Sequence, residues 1–209
     1  MAQVDHEKRE VTFKVVYCGP PGGGKTTNLA AIHERLNPEV RGDLVSMATS
    51  TDSTVFLDYV HVEAIVINGY DTRFQLYTVP GQPRYDATRE LLLKGADGII
   101  FVADSKIDCR EENVLACQTM YRNLEANGIG RKDIPIVYQY NKRDLSNTSS
   151  LAAMDQLFML NDTPSPQRFE ASAQSYRNVV ETLDAITQMI LESFHAKRSK
   201  DIRLGSTPS

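Results

Sequence analysis

The most informative residues of this chain form a glycine-rich segment that ends in a lysine and a threonine. Gly19 and Gly24 have the spacing of the phosphate-loop motif, and Lys25 and Thr26 follow directly. Glycines let successive backbone N–H groups turn inward and form a concave anion site. Lys25 would give a positive charge to the β- and γ-phosphates of a nucleotide, and the Thr26 hydroxyl would be a ligand for Mg²⁺. The candidate phosphate-binding residues are Gly19, Gly22, Gly23, Gly24, Lys25, Thr26 and Thr27.

The segment also has the context that the motif requires. A strand pattern covers residues 13–18 before it, and a helix pattern covers residues 27–36 after it. A helix N-terminus favours bound anions. The alternative, a glycine-rich turn with an incidental lysine, does not account for both neighbours. The sequence therefore predicts a site for a nucleoside di- or triphosphate.

A second set of polar residues directly follows a predicted strand at residues 135–140. It consists of Asn141, Lys142, Arg143 and Asp144. The Asp144 carboxylate can accept hydrogen bonds from the N1–H and the amine of guanine, whereas adenine offers no amine there. Asn141 can reach the other edge of the base, and the Lys142 stem can lie along its ring. Ligands of open α/β sheets bind at the carboxyl ends of strands, so the position fits a guanine site.

A third element, Ser172 and Ala173, follows a short strand candidate near Arg168. The backbone N–H of Ala173 is expected to meet the guanine oxygen. Alone, a Ser-Ala pair carries little information, but its order after the other two motifs supports the same site.

Composition restricts the class of protein. The 209 residues are 41% hydrophobic and 24% charged, which is typical of one globular domain. A net charge of −4 argues against a partner that is nucleic acid or a membrane surface. The polar N-terminus, without a glycine at position 2, and the C-terminus without cysteine predict a cytoplasmic protein with no direct membrane anchor. The three cysteines lack metal-ligand spacing.

The remaining patterns predict the strands and helices that surround these motifs. Strand candidates at 54–60, continuing toward 64–67, and at 72–79 are joined by Asn68 and Gly69, a strong hairpin signal. These two strands are therefore expected to be antiparallel neighbours. The strand candidates at 98–104 and 135–140 are continuously apolar, as in strands covered by helices on both faces.

Amphipathic helices are predicted around residues 114–124 and 179–194. The alternation predicts one α/β domain with a mixed, mostly parallel sheet and helices on both faces, as in P-loop NTPases. We expect an N-terminal extension at 1–11, the domain at 12–195 and a disordered tail at 196–209, which is basic and then rich in serine and proline.

The three motifs, with Pro80, Gly81 and Gln82 between them, resemble those of the Ras-like small GTPases over residues 12–194. Within that superfamily, residues 76–82 and 141–145 look most like the MglA-type GTPases of bacterial cell polarity and gliding motility. The resemblance implies a Ras-like G domain that binds GTP or GDP with Mg²⁺.

The resemblance also suggests how a metal would be held. Small GTPases usually carry an aspartate where this chain has Thr78. MglA-type proteins share the threonine, and Asp58 is similar to the acidic residue that they place near the metal instead. The implied metal site therefore includes Thr26, Thr54 and Asp58, although Asp58 could also be an outward-facing strand residue.

The same family suggests the catalytic residues. Gln82 matches the glutamine that positions the attacking water, and Thr54 matches the switch threonine that binds Mg²⁺ and senses the γ-phosphate. With Lys25 they form the candidate catalytic set. The segments 41–54 and 82–94 are expected to become ordered only with the γ-phosphate, which would make the protein a switch.

One departure from the family concerns an arginine. MglA-type proteins usually carry an arginine immediately before the switch threonine, where this chain has Ser53. An arginine at this place is worth about 10³–10⁵ in rate, so slow hydrolysis is expected. Arg41 and Arg84 are the nearby arginines considered as substitutes. In the family, the activator is a homodimeric Roadblock-domain protein, MglB, which inserts no arginine.

Three hypotheses follow. The first is a slow GTPase switch that recruits polarity or motility effectors when GTP is bound and reaches a cell pole through protein partners. The second is a GTP-binding pseudo-GTPase scaffold with little hydrolysis. The third, a phosphate-loop kinase or ATPase, predicts selectivity for adenine and conflicts with Asp144.

Overall fold

The computed structural model describes residues 2–48, 55–67, 69–82, 85–159 and 166–205. Its strands are β1 (Gln3–Asp5), β2 (Glu10–Cys18), β3 (Val45–Ala48), β4 (Val55–Ile67), β5 (Tyr70–Thr78), β6 (Gly98–Asp104), β7 (Ile136–Asn141) and β8 (Arg168–Glu170). Its helices are α1 (Lys25–Arg35), α2 (Asp86–Leu93), α3 (Arg110–Ala126), α4 (Leu151–Leu157) and α5 (Val179–Gly205).

All of these strands belong to one mixed sheet. The order is β3-β4-β5-β2-β6-β7-β8, and β1 pairs with the first residues of β2. The pairs β2–β5, β2–β6, β6–β7 and β7–β8 are parallel, whereas β1–β2, β3–β4 and β4–β5 are antiparallel. The predicted fold class, a mostly parallel α/β sheet, is confirmed.

Helices cover both faces of the sheet because the central strands have apolar side chains on both faces. On β2, Val15 and Tyr17 pack into the core that α1 and α5 cover, and Val16 and Cys18 pack into the core on the other face. That second core receives side chains from α2, α3 and α4, including Leu93. Parallel strands buried on both faces are expected to be apolar throughout, and every residue of β6 is buried.

The hairpin predicted from residues 68 and 69 is confirmed by the strands on either side. β4 and β5 are antiparallel, Ile67 pairs with Tyr70, and Gly69 has a left-handed φ of 80°. Asn68 itself lies outside the described residues. β1, β3, α2 and α4 were not predicted, because three to eight residues are too few for a clear periodic pattern.

The two chain ends differ from expectation. The residues named as an N-terminal extension contribute β1 to the sheet. At the other end, α5 continues to Gly205, so residues 196–205 are helical where a disordered tail was predicted. The sequence from 196 to 204 contains neither glycine nor proline, and basic residues near a helix C-terminus are favoured by the helix dipole. Residues 206–209 lie outside the described part.

Among the helices of the described residues, we find none that is both long enough and apolar enough to cross a membrane.

Candidate nucleotide-binding site

The glycine-rich segment connects β2 to α1 and adopts a backbone that only glycine tolerates well. Gly19, Gly22 and Gly24 have φ values of 140°, 66° and 98°. A Cβ on Gly19 would lie 2.1 Å from the carbonyl oxygen of Val102, and one on Gly24 would lie 2.2 Å from Nδ2 of Asn141. Gly19 and Gly24 are therefore required both by conformation and by space, whereas Gly22 is required by conformation alone.

Lys25 begins α1 and is held inside this loop. Its ammonium donates to the carbonyl oxygens of Gly19, at 3.0 Å, and Pro20, at 2.7 Å. Burial lowers the pKa of Lys25 to about 8, since a charged group loses hydration there. A phosphate in the loop would supply the negative charge that a buried ammonium needs, so this residue fits an anionic ligand.

The loop forms one wall of a cleft of about 410 Å³. The opposite wall is formed by Thr78 at the end of β5 and by Gly81 and Gln82 in the segment that follows. Thr26 and Thr27 line the cleft and are exposed. The structure thus brings Gln82 together with five of the predicted phosphate-binding residues around one space: Gly22, Gly24, Lys25, Thr26 and Thr27.

Asp58 and Thr78 form a buried pair on the neighbouring strands β4 and β5. Asp58 is fully buried; its N–H donates to Oγ1 of Thr78 at 2.9 Å, and that hydroxyl donates to Oδ2 of Asp58 at 3.2 Å. Asp58 is therefore not an outward-facing strand residue. Its charge acts on Lys25, opposing the effect of burial on the pKa of that lysine.

The hydroxyl oxygen of Thr26 and the carboxylate oxygens of Asp58 are ligands of the kind that Mg²⁺ prefers. The metal takes its other ligands from water and substrate phosphates. Thr26 and Asp58 are the residues of the described chain that would hold it. Bound there, the metal would neutralise charge on the β- and γ-phosphates. Thr54, the third predicted ligand, lies outside the described residues.

At the other end of the site, Asn141 joins three loops. It ends β7 and is 2% exposed. Its Nδ2 donates to the carbonyl oxygen of Gly23 at 2.9 Å, and its Oδ1 accepts from the N–H of Ala173 at 2.9 Å. The Ala173 N–H, predicted to meet the guanine oxygen, is thus engaged within the protein, and its contact with a base stays a prediction.

Near Asn141, some polar groups are bonded within the protein and one carboxylate is exposed. The ammonium of Lys142 pairs with the buried carboxylate of Asp104 at 2.7 Å, which fixes the lysine stem. Ser172 is buried and builds its own loop, since its N–H donates to the carbonyl of Arg177 and its hydroxyl accepts from Ser175. Asp144 is exposed, and no residue of the described chain donates a hydrogen bond to it. Its carboxylate is available for a base.

Of the two arginines considered as substitutes, Arg41 lies within the described residues. Arg41 donates to His33 in the last turn of α1. At a rise of about 1.5 Å per residue, His33 is about 12 Å along the helix from Lys25. Ser53 and Arg84 lie outside the described residues.

Arg89 of α2 was missed by the sequence analysis. Its guanidinium donates to the carbonyl oxygens of Gln82, at 2.6 Å, and Pro80, at 3.2 Å. No sequence signal distinguishes it from other helical arginines; only the turn between β5 and α2 brings it back to Gln82.

Fold and site together define a nucleotide-binding protein of the phosphate-loop class. A sequence model of the Ras family matches residues 40–192, and the chain belongs to that family. It is thus a small GTPase. The chain is 42% identical over 191 residues to the mutual gliding-motility protein MglA of Myxococcus xanthus, covering 91% of this chain and 96% of that protein.

More distant relatives share the same domain. The chain is 25% identical over 193 residues to a Ras and EF-hand domain-containing protein homolog of Caenorhabditis elegans, covering 87% of this chain but 26% of that protein. It is 26% identical over 157 residues to ADP-ribosylation factor-like protein 6 of Caenorhabditis briggsae, covering 74% and 72% of the two chains.

Proposed function

We propose that this protein is a molecular switch that binds GTP and GDP with Mg²⁺, hydrolyses GTP slowly and recruits polarity or motility effectors in its GTP state. The observation that carries the proposal is the cleft of about 410 Å³ in which Lys25 and Thr26 face Gln82. A cleft of this kind can hold phosphates on one side and a hydrolytic water on the other.

The residues divide the chemistry between them. Asp144 selects guanine, because its carboxylate accepts from the N1–H and the amine of that base. The phosphate loop and Lys25 bind the phosphates, and Thr26 with Asp58 would hold the metal. Gln82 orients the attacking water. This interaction stabilises the transition state and does not change the affinity for the nucleotide.

The slow rate follows from the missing arginine. Ser53 stands where MglA-type proteins usually have arginine, and Arg41 is bonded to His33 at the far end of α1. Without an arginine beside the γ-phosphate, Gln82 supports only limited acceleration.

The biological role rests on likeness to the gliding-motility protein of Myxococcus xanthus. We infer that effectors bind the GTP state and that an MglB-like Roadblock-domain protein activates hydrolysis. Recruitment to a cell pole would then depend on these partners, with the protein otherwise in the cytoplasm.

The base preference provides the direct test. Wild-type protein should bind GTP and GDP at least about a hundredfold more tightly than ATP, as expected when a site's hydrogen-bonding groups are left unpaired by the wrong ligand. Asp144→Asn should shift the preference toward xanthine nucleotides, because an amide donates where the carboxylate accepted. Asp184→Asn, an exposed aspartate on α5, is the matched control and should leave the preference unchanged. Equal affinity for ATP and GTP would contradict the proposal and favour a kinase or ATPase.

A pseudo-GTPase scaffold is the second candidate, favoured by Ser53 and by the position of Arg41. Overnight turnover of GTP with and without a Roadblock-domain partner separates the two. A switch releases phosphate, faster with the partner, and binds effectors only when loaded with GTP. A scaffold releases none and binds partners equally when loaded with GDP.

A further inference from the structure

Arg89 connects the catalytic segment to the body of the domain. Its Nη1 donates to the carbonyl oxygens of Pro80 and Gln82, which flank Gly81 on either side. One guanidinium thus fixes two peptide groups of the turn that carries Gln82. Its side chain is 11% exposed, so these hydrogen bonds are largely shielded from water.

Arg89 is itself braced by α3. Its Nη2 donates to Oδ1 of Asp86 at 3.1 Å. The same carboxylate accepts from Asn123, at 3.2 Å, and from Arg122, at 2.8 Å. The contacts form a continuous path from α3 through Asp86 and Arg89 to the backbone of Gln82.

Few side chains anchor α2, the helix that carries Arg89, in the core. Of the residues in α2, Leu93 is the buried one. A cavity of about 400 Å³ lies between α2 and α3, lined by Val79, Leu93, Met120 and the side chains of Asp86 and Arg89. Because this cavity lies beside Gly81, residues 80–82 are held by a small set of contacts. These are the hydrogen bonds of Arg89, the hydrogen bond from the N–H of Tyr85 to the carbonyl of Gln82, and the close approach of Gly81 to Pro21.

We infer that Arg89 is a positioning residue for GTP hydrolysis. It holds the backbone of Gln82 in place, so that the side-chain amide of Gln82 can orient the attacking water. The inference rests on the proposed function of Gln82. The guanidinium donates to protein carbonyls and is therefore not a substitute for the missing arginine on the phosphate. A lysine cannot replace it, because an ammonium lacks the planar fork that meets two carbonyls and a carboxylate together.

The test is a double-mutant cycle on full-length protein, with single-turnover hydrolysis of bound GTP and the dissociation constants of GTP and GDP measured separately. Arg89→Ala should lower the single-turnover rate about ten- to a hundredfold while leaving both dissociation constants within about threefold. Arg89→Lys should recover less than about a third of the lost rate. In a Gln82→Ala background, Arg89→Ala should cause no further loss beyond about twofold, because it acts through Gln82.

The matched control is Arg73→Ala, which removes a guanidinium that pairs with Glu10 and Glu63 on another part of the sheet. The single-turnover rate of the Arg73→Ala variant should equal that of the wild type. Additive losses in the double variant, or an Arg89→Ala rate equal to wild type beside an impaired Gln82→Ala, would overturn this inference alone. A Gln82→Ala variant with wild-type turnover would overturn both the role of Gln82 and the positioning of it by Arg89.

Discussion

The two ends of the candidate nucleotide site are held in different ways. At the base end, the buried Asn141 side chain connects the phosphate loop to the loop after β8 through two hydrogen bonds of 2.9 Å. At the catalytic end, Gln82 lies on a turn held by the side chain of Arg89, beside a cavity of about 400 Å³. The base end is therefore fixed by a buried side chain, whereas the catalytic end is held by the hydrogen bonds of a side chain beside a cavity.

This difference assigns affinity and turnover to separate parts of the molecule. Loops fixed before the ligand arrives cost little entropy on binding, so the base end can supply affinity. A turn held by a few hydrogen bonds can change its position with the state of the nucleotide, so the catalytic end can supply switching. Variants at the two ends should therefore change different measured quantities.

The largest effect is expected at the base end. Asn141→Ala leaves the Gly23 carbonyl and the Ala173 N–H without their partners, each worth about 1–3 kcal/mol when buried. Affinity for GTP and GDP should fall at least about a hundredfold, measured by displacement of a fluorescent nucleotide.

The control is Gln139→Ala, which removes a buried amide from the same strand, where it bonds Thr182 of α5. It should also destabilise the fold, by about 1–3 kcal/mol, but leave affinity within about threefold. If the two variants lose affinity equally, stability and not the loop junction explains the effect.

A gain of catalysis is expected from Ser53→Arg. A cation beside the γ-phosphate should raise activator-stimulated hydrolysis about ten- to a hundredfold, below the full effect of an arginine because the loop must also place it correctly. Phosphate release with the activator measures this, and Ser53→Gln, which adds bulk without charge, should not reproduce it. No change in Ser53→Arg, together with rapid native turnover, would mean that the cation comes from a partner or is not needed.

A smaller loss is expected from Gly81→Ala. The added Cβ would lie 2.5 Å from the backbone nitrogen of Pro21, so either the phosphate loop or the turn with Gln82 must move. Because the turn is held less firmly, we expect it to move: the single-turnover rate should fall about tenfold and nucleotide affinity should change less than about threefold. A large loss of affinity would show that the phosphate loop moves instead.

The smallest effect is expected from Arg41→Ala. Arg41 bonds His33 at the end of α1 away from the phosphates, so hydrolysis should stay within about twofold of the wild type. A severe loss in the same phosphate-release assay would mean that Arg41 moves to the nucleotide and substitutes for the missing arginine.

The sequence was sufficient where local patterns determine the structure. The glycine-rich turn between β2 and α1, the apolar strand β6 and the hairpin at Gly69 follow from glycine positions and hydrophobic runs, and the structure confirms each. Patterns of this kind depend on neighbours along the chain, which a single sequence displays.

The sequence was insufficient where a role depends on contacts between distant residues. Asn141 bonds a residue 118 positions away, and Arg89 returns to Gln82 only because of the turn before α2. Asp58 could be read as exposed until its bond with Thr78 showed it buried. The roles of Thr54 and Ser53 stay predictions, since both lie outside the described residues.

Hydrogen exchange of the GDP-bound and GTP-analogue-bound protein tests the difference between the two ends most directly. Peptides covering residues 19–24 and 141–144 should exchange slowly and alike in both states. Peptides covering residues 80–82 and α2 should become protected only with the GTP analogue. Equal protection of residues 80–82 in both states, or a change confined to residues 141–144, would show that switching does not occur at the catalytic end.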